Sequence, residues 1–236
     1  MKNYSISTLQ NFMFIFLLGA GSLFNAADTL AQQTTFSYGV KTGINLSGSS
    51  YRPDFHSRVN LKKGFMVGFS AEYAMNTSCF LQSGLYFSNK GAEYKGSDIW
   101  LGSSKPPVTF WVNTIHQLYM QIPLALAFKK SLRNKIKITG NAGPYVAYGI
   151  GGRNITKKNH TGVNLPDEKV WTNTFGKKGV KRFDVGLTVG GGIELKQIQL
   201  GINYEPSFKD VNYKYSDNIE YEYRNRNLTF WVAYKL

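Results

Sequence analysis

The stretch "FDVGLTVGGGIELKQIQLGINYEP", Phe183 to Pro206, places bulky apolar residues at alternate positions: Phe183, Val185, Leu187, Val189, Ile193 and Leu195. Between them stand Asp184, Gly186, Thr188, Gly190, Gly192 and Glu194. After "KQ" the alternation resumes, with Ile198, Leu200, Ile202 and Tyr204 set against Gln199, Gly201, Asn203 and Glu205. A period of two marks a strand whose two faces meet different surroundings. Two such runs separated by two residues form a hairpin. The fold is decided by which face of this hairpin meets water.

The same period recurs in eight runs, at about 37–46, 64–75, 78–88, 115–129, 135–150, 182–195, 197–206 and 226–236. In "QLYMQIPLALAF" one face is Leu118, Met120, Ile122, Leu124, Leu126 and Phe128. The connections after the second, fourth and sixth runs are brief ("MNTS", "KSLRNK", "KQ"), while those after the first, third, fifth and seventh take roughly 17 to 31 residues. An even number of strands with short turns at one end and long loops at the other predicts an all-β, eight-stranded antiparallel up-and-down barrel. Among 236 residues, 24 Gly, 15 Tyr and 16 Phe likewise favour strands and tight turns over helices.

Orientation follows from the smaller face. Gly39, Gly43, Gly64, Gly68, Gly84, Gly143, Gly186, Gly190, Gly192 and Gly201 all fall on it, which is too glycine-rich for a solvated exterior. An eight-stranded barrel has an interior just wide enough for its own side chains, so the small residues belong inside. The bulky face then meets lipid, and runs of about ten residues suffice for a tilted strand to cross. Closure supplies every backbone partner that hydrocarbon cannot. Tyr38, Tyr73, Phe128, Tyr148, Phe183, Tyr204, Phe230 and Tyr234 lie near run ends on the outward face, where interfacial aromatic girdles sit. Lys41, Glu72, Asn141, Asp184, Glu194 and Glu205 fall on the inner face. They are expected to form a mixed-sign lumen network, because unpaired charge in so dry a space is costly. Pro123 interrupts its strand's ladder, which predicts a bulge there. The competing reading, a secreted barrel with a ligand inside, requires the opposite orientation.

The first residues differ from the rest. Lys2 precedes the apolar run "FMFIFLLGAG", and "NAADTLAQQ" follows, so residues 1–31 read as a secretory signal cleaved after Ala31 and 32–236 as the barrel. The alternative is an uncleaved anchor, for which the run is short of the about 20 apolar residues a spanning helix needs. Cys79 is the single cysteine, which excludes an intramolecular disulfide. Gln32, not cysteine, would begin the mature chain, which argues against a lipid anchor. Export and a lipid-facing barrel together predict the outer membrane of a Gram-negative bacterium, with the turns periplasmic and the loops extracellular.

Four stretches in order carry a family resemblance: "YGVKTGINLS" with its Gly-x-Lys-x-Gly-x-Asn pattern, "LYMQIPLALAF" around Ile-Pro-Leu, "GPYVAYGIGG", and "FDVGLTVGGGIEL". The chain resembles the PorT-like outer-membrane β-barrel family of Bacteroidetes over nearly all of its mature length. It departs from that family at "NYEPSFKDV", where members often carry Arg-Tyr and Gly-Leu-x-Asn patterns. It also ends on Leu236, where many outer-membrane strands end on Phe. The resemblance implies an OmpA/OmpX-like barrel, insertion by the outer-membrane assembly machinery, a partner protein in the envelope or in secretion, and no cofactor.

The charge is +14, from 28 Lys and Arg against 14 Asp and Glu, and it suits an anionic surface or polymer. Arg153, Lys157, Lys158, Lys169, Lys177, Lys178, Lys181 and Arg182 lie in or beside the third long loop. There lipopolysaccharide phosphates would be their neighbours, with a merely solvated loop as the alternative. Nucleic acid is not an expected partner, since no recognition motif accompanies the charge. His56, His116 and His160 show no metal-binding spacing. The expected function is non-enzymatic, a structural or binding role through long basic loops around a side-chain-filled lumen. The alternative is a rim-located enzyme, with His116 drawing on Glu93 or Asp98 and on Ser103 or Ser104.

Overall fold

A computed structural model describes residues 36–50, 58–99, 108–132, 136–161, 166–176, 179–209, 213–216, 219–221 and 223–236. The expected signal, 1–31, lies outside the described residues. The strands are β1 (Phe36–Ser49), β2 (Arg58–Asn60), β3 (Lys62–Ala74), β4 (Cys79–Ile99), β5 (Val108–Ser131), β6 (Ile136–Gly151), β7 (Arg153–Thr161), β8 (Glu168–Asn173), β9 (Phe183–Leu195), β10 (Ile198–Pro206), β11 (Tyr213–Ser216), β12 (Ile219–Tyr221) and β13 (Asn225–Lys235). Eight of them close a ring in which every neighbour is antiparallel: β1, β3, β4, β5, β6, β9, β10, β13 and back to β1. These are the eight runs of alternating sequence. Closure leaves no free edge around the wall.

The opening hairpin is β9–β10, paired Leu195 with Ile198 through Val189 with Tyr204 across the turn at Lys196–Gln197. Its inner side carries Asp184, Thr188, Glu194, Asn203 and Glu205, all buried. Its outer side exposes Phe183, Val189, Ile193, Leu200, Ile202 and Tyr204. On β3 the contrast is as sharp, with Phe69 68% exposed and Glu72 7%. Lipid therefore meets the bulky face. Inverting the wall would turn Lys90 and Lys129, now 0% and 5% exposed, together with their carboxylate partners, outward toward lipid.

The inner glycines make room for large lumen side chains. A Cβ on Gly84 would fall 2.5 Å from the Tyr86 hydroxyl, and one on Gly201 2.4 Å from the Trp231 ring. Pro123 sits in register opposite Tyr145, without the expected bulge. The register is kept although the proline offers no N–H to the ladder, and its carbonyl accepts from Ser83 Oγ at 2.8 Å. The irregularity in β5 lies instead between Leu118 and Tyr119.

That irregularity marks where the wall ends. β5 runs 24 residues, more than twice what a tilted crossing requires, so its N-terminal part projects beyond the membrane. There β2, β4, β5, β7 and β8 form an external sheet, and the expected long loop after the third run is mostly the continuation of β4 and β5. Two glycines allow the departure. Gly91 has φ +139° and its Cβ would fall 1.8 Å from the Ile115 carbonyl; Gly152, between β6 and β7, has φ +159°. Neither conformation suits an L side chain.

Candidate functional site

Ionic side chains on the inner face collect at two levels. Nearest the short turns, Lys129 Nζ from β5 contacts Glu72 Oε2 of β3 at 2.7 Å and Glu194 Oε2 of β9 at 2.8 Å. Lys235 Nζ from β13 contacts the same two oxygens at 2.7 and 2.9 Å. Gln82 and Gln199 donate to Glu72 and Glu194 at 2.6 and 2.8 Å. Two carboxylates and two ammoniums thus alternate around a closed figure, with the remaining lone pairs satisfied by amides. Higher up, Lys90 of β4 pairs with Glu205 of β10 at 2.9 Å, and Gln121 and Asn227 donate to the same carboxylate at 2.9 and 3.1 Å. An amide chain leads up from the lower level: Trp231 Nε1 donates to Asn203 Oδ1 at 2.7 Å, Asn203 Nδ2 to Asn141 Oδ1 at 3.3 Å, and Asn141 Nδ2 to Gln82 Oε1 at 3.3 Å.

Glu72, Glu194 and Asn141 are therefore joined through these contacts, while Glu205 belongs to the separate level held by Lys90, Gln121 and Asn227. Asp184 stands apart near the mouth, accepting from Ser207 Oγ and from Asn225 Nδ2 at 3.1 Å. Lys41 is held by ring faces, 3.8 Å from the Trp231 ring centroid and 5.8 Å from that of Tyr86. Sequence reasoning did not single out Lys90, Lys129 or Lys235. Lys129 and Lys235 share the parity of the inner residues of their runs, and that parity was the available signal. Lys90 lies just past the end of its alternating run.

The mouth is closed by chain. Phe175 and Val180 form a bridge in the segment between β8 and β9, with both side chains buried. The Phe175 ring meets the Tyr119 ring edge-on, centroids 5.5 Å apart, and fills the space over Gly149. Thr174 Oγ1 donates to the His116 carbonyl at 2.7 Å, and Arg182 donates to the Gly149 carbonyl at 2.7 Å with its guanidinium over Phe175. Tyr94 and Ile115 of the external sheet and Tyr223 complete the apolar cluster. Burial pushes the Tyr223 phenol well above its ordinary value, so it packs there uncharged. Below this plug, a cavity of about 50 Å³ is lined from the short-turn half of the wall, where a single water needs about 10–15 Å³.

The external sheet has two unlike faces. One joins the apolar cluster at the mouth. The other bears Arg153 and Lys157 of β7 together with Lys169 and Trp171 of β8, since cross-strand partners share a face. Arg153 lies 5.2 Å from the Trp171 ring, which is 60% exposed. Lys158 points the other way and pairs with Glu168 at 3.6 Å. Arg182 is engaged with the plug, Lys181 is exposed, and Lys177 and Lys178 lie outside the described residues.

His116 pairs with Gly91 across the strands, and the Glu93 carboxylate is taken by Lys95 at 3.1 Å. Asp98 sits near the far end of the hairpin, opposite Thr109, while Ser103, Ser104 and His56 lie outside the described residues. His160 Nδ1 is 3.0 Å from Thr109 Oγ1. Among the described residues no three His, Cys, Asp or Glu side chains converge on a metal-sized site.

Residues 30–213 match the family described as outer membrane protein beta-barrel domain. Comparison with curated proteins finds no match. Among solved structures, the chain is similar to Ail, the attachment invasion locus protein of Yersinia pestis, crystallised with the heparin analogue sucrose octasulfate: identity 12%, TM-score 0.38, with 85% of this chain and 99% of that one covered. Neisserial surface protein A shows 14% identity and a TM-score of 0.33 over 84% and 97% of the two chains. OprG of Pseudomonas aeruginosa shows 9% identity and a TM-score of 0.33 over 85% and 94%.

Proposed function

Because the chain belongs to the outer membrane protein beta-barrel domain family and is an outer-membrane protein, we propose that it is a non-enzymatic barrel whose external sheet grips the phosphate-bearing glycolipid around it, lipopolysaccharide. The observation that carries this reading is the shared outward face of Arg153, Lys157, Lys169 and Trp171. These residues stand just beyond Gly152, where the lipid-facing wall gives way to the external sheet. Arg and Lys donate to phosphate oxygens, and an exposed tryptophan suits the head-group region. The lumen offers no competing role of comparable scale, being crossed by the Lys90–Glu205 pair and stopped by Phe175. The reading keeps the PorT-like affiliation, which rests on the four strand motifs, and with it assembly-machinery recognition of the last strand and a partner in the envelope or secretion. It likewise takes residues 1–31 as a cleaved signal.

The test uses the full mature chain in nanodiscs containing lipopolysaccharide or its dephosphorylated form. Wild type retains the phosphorylated glycolipid through size exclusion and releases the dephosphorylated one. The R153A/K157A/K169A variant loses the preference while keeping heat-dependent gel mobility. Equal retention of both glycolipids by wild type would remove the proposal.

A further inference from the structure

The ammonium of Lys41 differs from every other lumen ammonium. Lys90, Lys129 and Lys235 each touch a carboxylate within 2.9 Å, and Lys62 donates to Asn89 Oδ1 at 2.6 Å and to the Lys90 carbonyl at 3.3 Å. Lys41 Nζ has no oxygen partner among the described residues. It rests on the Trp231 face at 3.8 Å with Tyr86 beyond, and it lines the cavity below the plug. An ammonium carries three N–H donors, and ring faces satisfy its charge but not those donors.

The surroundings favour a negative guest. From the short turns up to Glu205, the inward ionic groups are Lys41, Lys90, Lys129, Lys137 and Lys235 against Glu72, Glu194 and Glu205. Every one of those carboxylates is already held by at least one other ammonium, and Lys41 is the ammonium left without a carboxylate in contact among the described residues. Glu72 and Glu205, each already engaged by another ammonium, line the cavity together with the amide and hydroxyl groups of Asn203, Asn141 and Ser70. At about 50 Å³ it admits a small ion with a water or two and excludes anything of sugar or nucleotide size.

We propose that the lower lumen is a binding site for a small monovalent anion, a halide or an ion of that size, held by the Lys41 ammonium against Trp231 and reached from the short-turn end. The inference rests on the lumen alone and does not depend on the external sheet's ligand. Crystals of the full mature chain soaked in bromide and measured at the bromine edge test it directly. Wild type gives an anomalous peak in hydrogen-bonding contact with Lys41 Nζ, and Lys41→Met loses that peak while other bromide sites persist. Lys41→Gln, which keeps a polar head in the lumen, serves if the methionine variant does not fold, and it also loses the peak. A wild-type cavity without anomalous density, or a peak that persists in the folded variant, would overturn the proposal.

Discussion

Replacing Lys129 by Met tests whether the lumen's ion pairs hold the barrel together. Lys129 Nζ is shared by Glu72 and Glu194 at 2.7 and 2.8 Å, and its side chain is 2% exposed. Methionine fills the same length and packs on the Phe80 ring, over which the ammonium now lies at 4.7 Å, so little cavity is created. What changes is charge: two carboxylates at 8% and 6% exposure are left with Lys235, and with Lys137 at 3.5 Å from Glu194. Removing one partner of a buried pair costs about 3–5 kcal/mol. Lys235 still bridges both carboxylates and is itself 21% exposed, so the lower end applies, about 3 kcal/mol. That is more than roughly a hundredfold in the folding equilibrium. Adding Glu194→Gln restores one ammonium per carboxylate and should recover about half of the loss, a coupling within the usual range of about 0.5–3 kcal/mol for contacting residues. Urea unfolding in detergent, followed by heat-dependent gel mobility, measures all three proteins. A single variant within about 0.5 kcal/mol of wild type, the level of ordinary surface substitutions, would refute the reasoning. So would a double variant weaker than the single one.

Three further outcomes follow from the geometry. A Cβ on Gly149 would sit 2.3 Å from the Phe175 ring and meet nothing else so closely, so Gly149→Ala should cost about 1–3 kcal/mol and Phe175→Leu in the same chain should return most of it, read by the same unfolding assay. Phe69→Arg, at a lipid-facing position 68% exposed to the surroundings, should cost about 2–4 kcal/mol, whereas Phe110→Arg on the external sheet, 52% exposed, should stay near neutral; comparable losses at both would misplace the membrane. Cys79 stands beside a short turn, so an impermeant maleimide should leave it unlabelled on intact cells, while Val170→Cys in a Cys79→Ser background, 54% exposed on β8, should label.

The wall was legible because lipid on one side and a crowded lumen on the other impose a strict period of two. Asp184, Thr188 and Glu194 against Val185, Leu187 and Ile193 cannot be placed the other way without charges in hydrocarbon. Beyond the membrane that constraint lapses. In β8, Glu168 to Asn173, every residue is exposed, so water wets both faces and the alternation that would announce a strand is missing. The continuation of β4 and β5 does bury one face, at Ala92, Tyr94 and Ile115, but over too few residues to stand out as a run. The lumen's contacts were legible as a set of polar residues but not as pairs. Parity puts Glu72, Lys129 and Glu194 on the inner face, yet only the register of β3, β5 and β9 around the ring brings them within 2.8 Å. The plug carries no periodic mark. Phe175 and Val180 flank "GKKG", which reads as an exposed basic loop, and their burial comes from the space left over Gly149.

The two ends of the barrel thus separate two kinds of chemistry. In the lower lumen the ammoniums in contact with Glu72, Glu194 and Glu205 are engaged in holding the wall, and Lys41 is not. A group already paired and desolvated can change partners only by paying that desolvation again, so the lumen is a poor place for exchange with large solutes. Arg153, Lys157 and Lys169 have the opposite character: they are exposed, basic and on one face, and Arg153 is steadied by Trp171 rather than neutralised by a carboxylate. Donors of that kind stay available to an anion outside. Phe175 keeps the two regions apart, and the fate of its clash with a residue-149 methyl is the most direct measure of how firmly it does so.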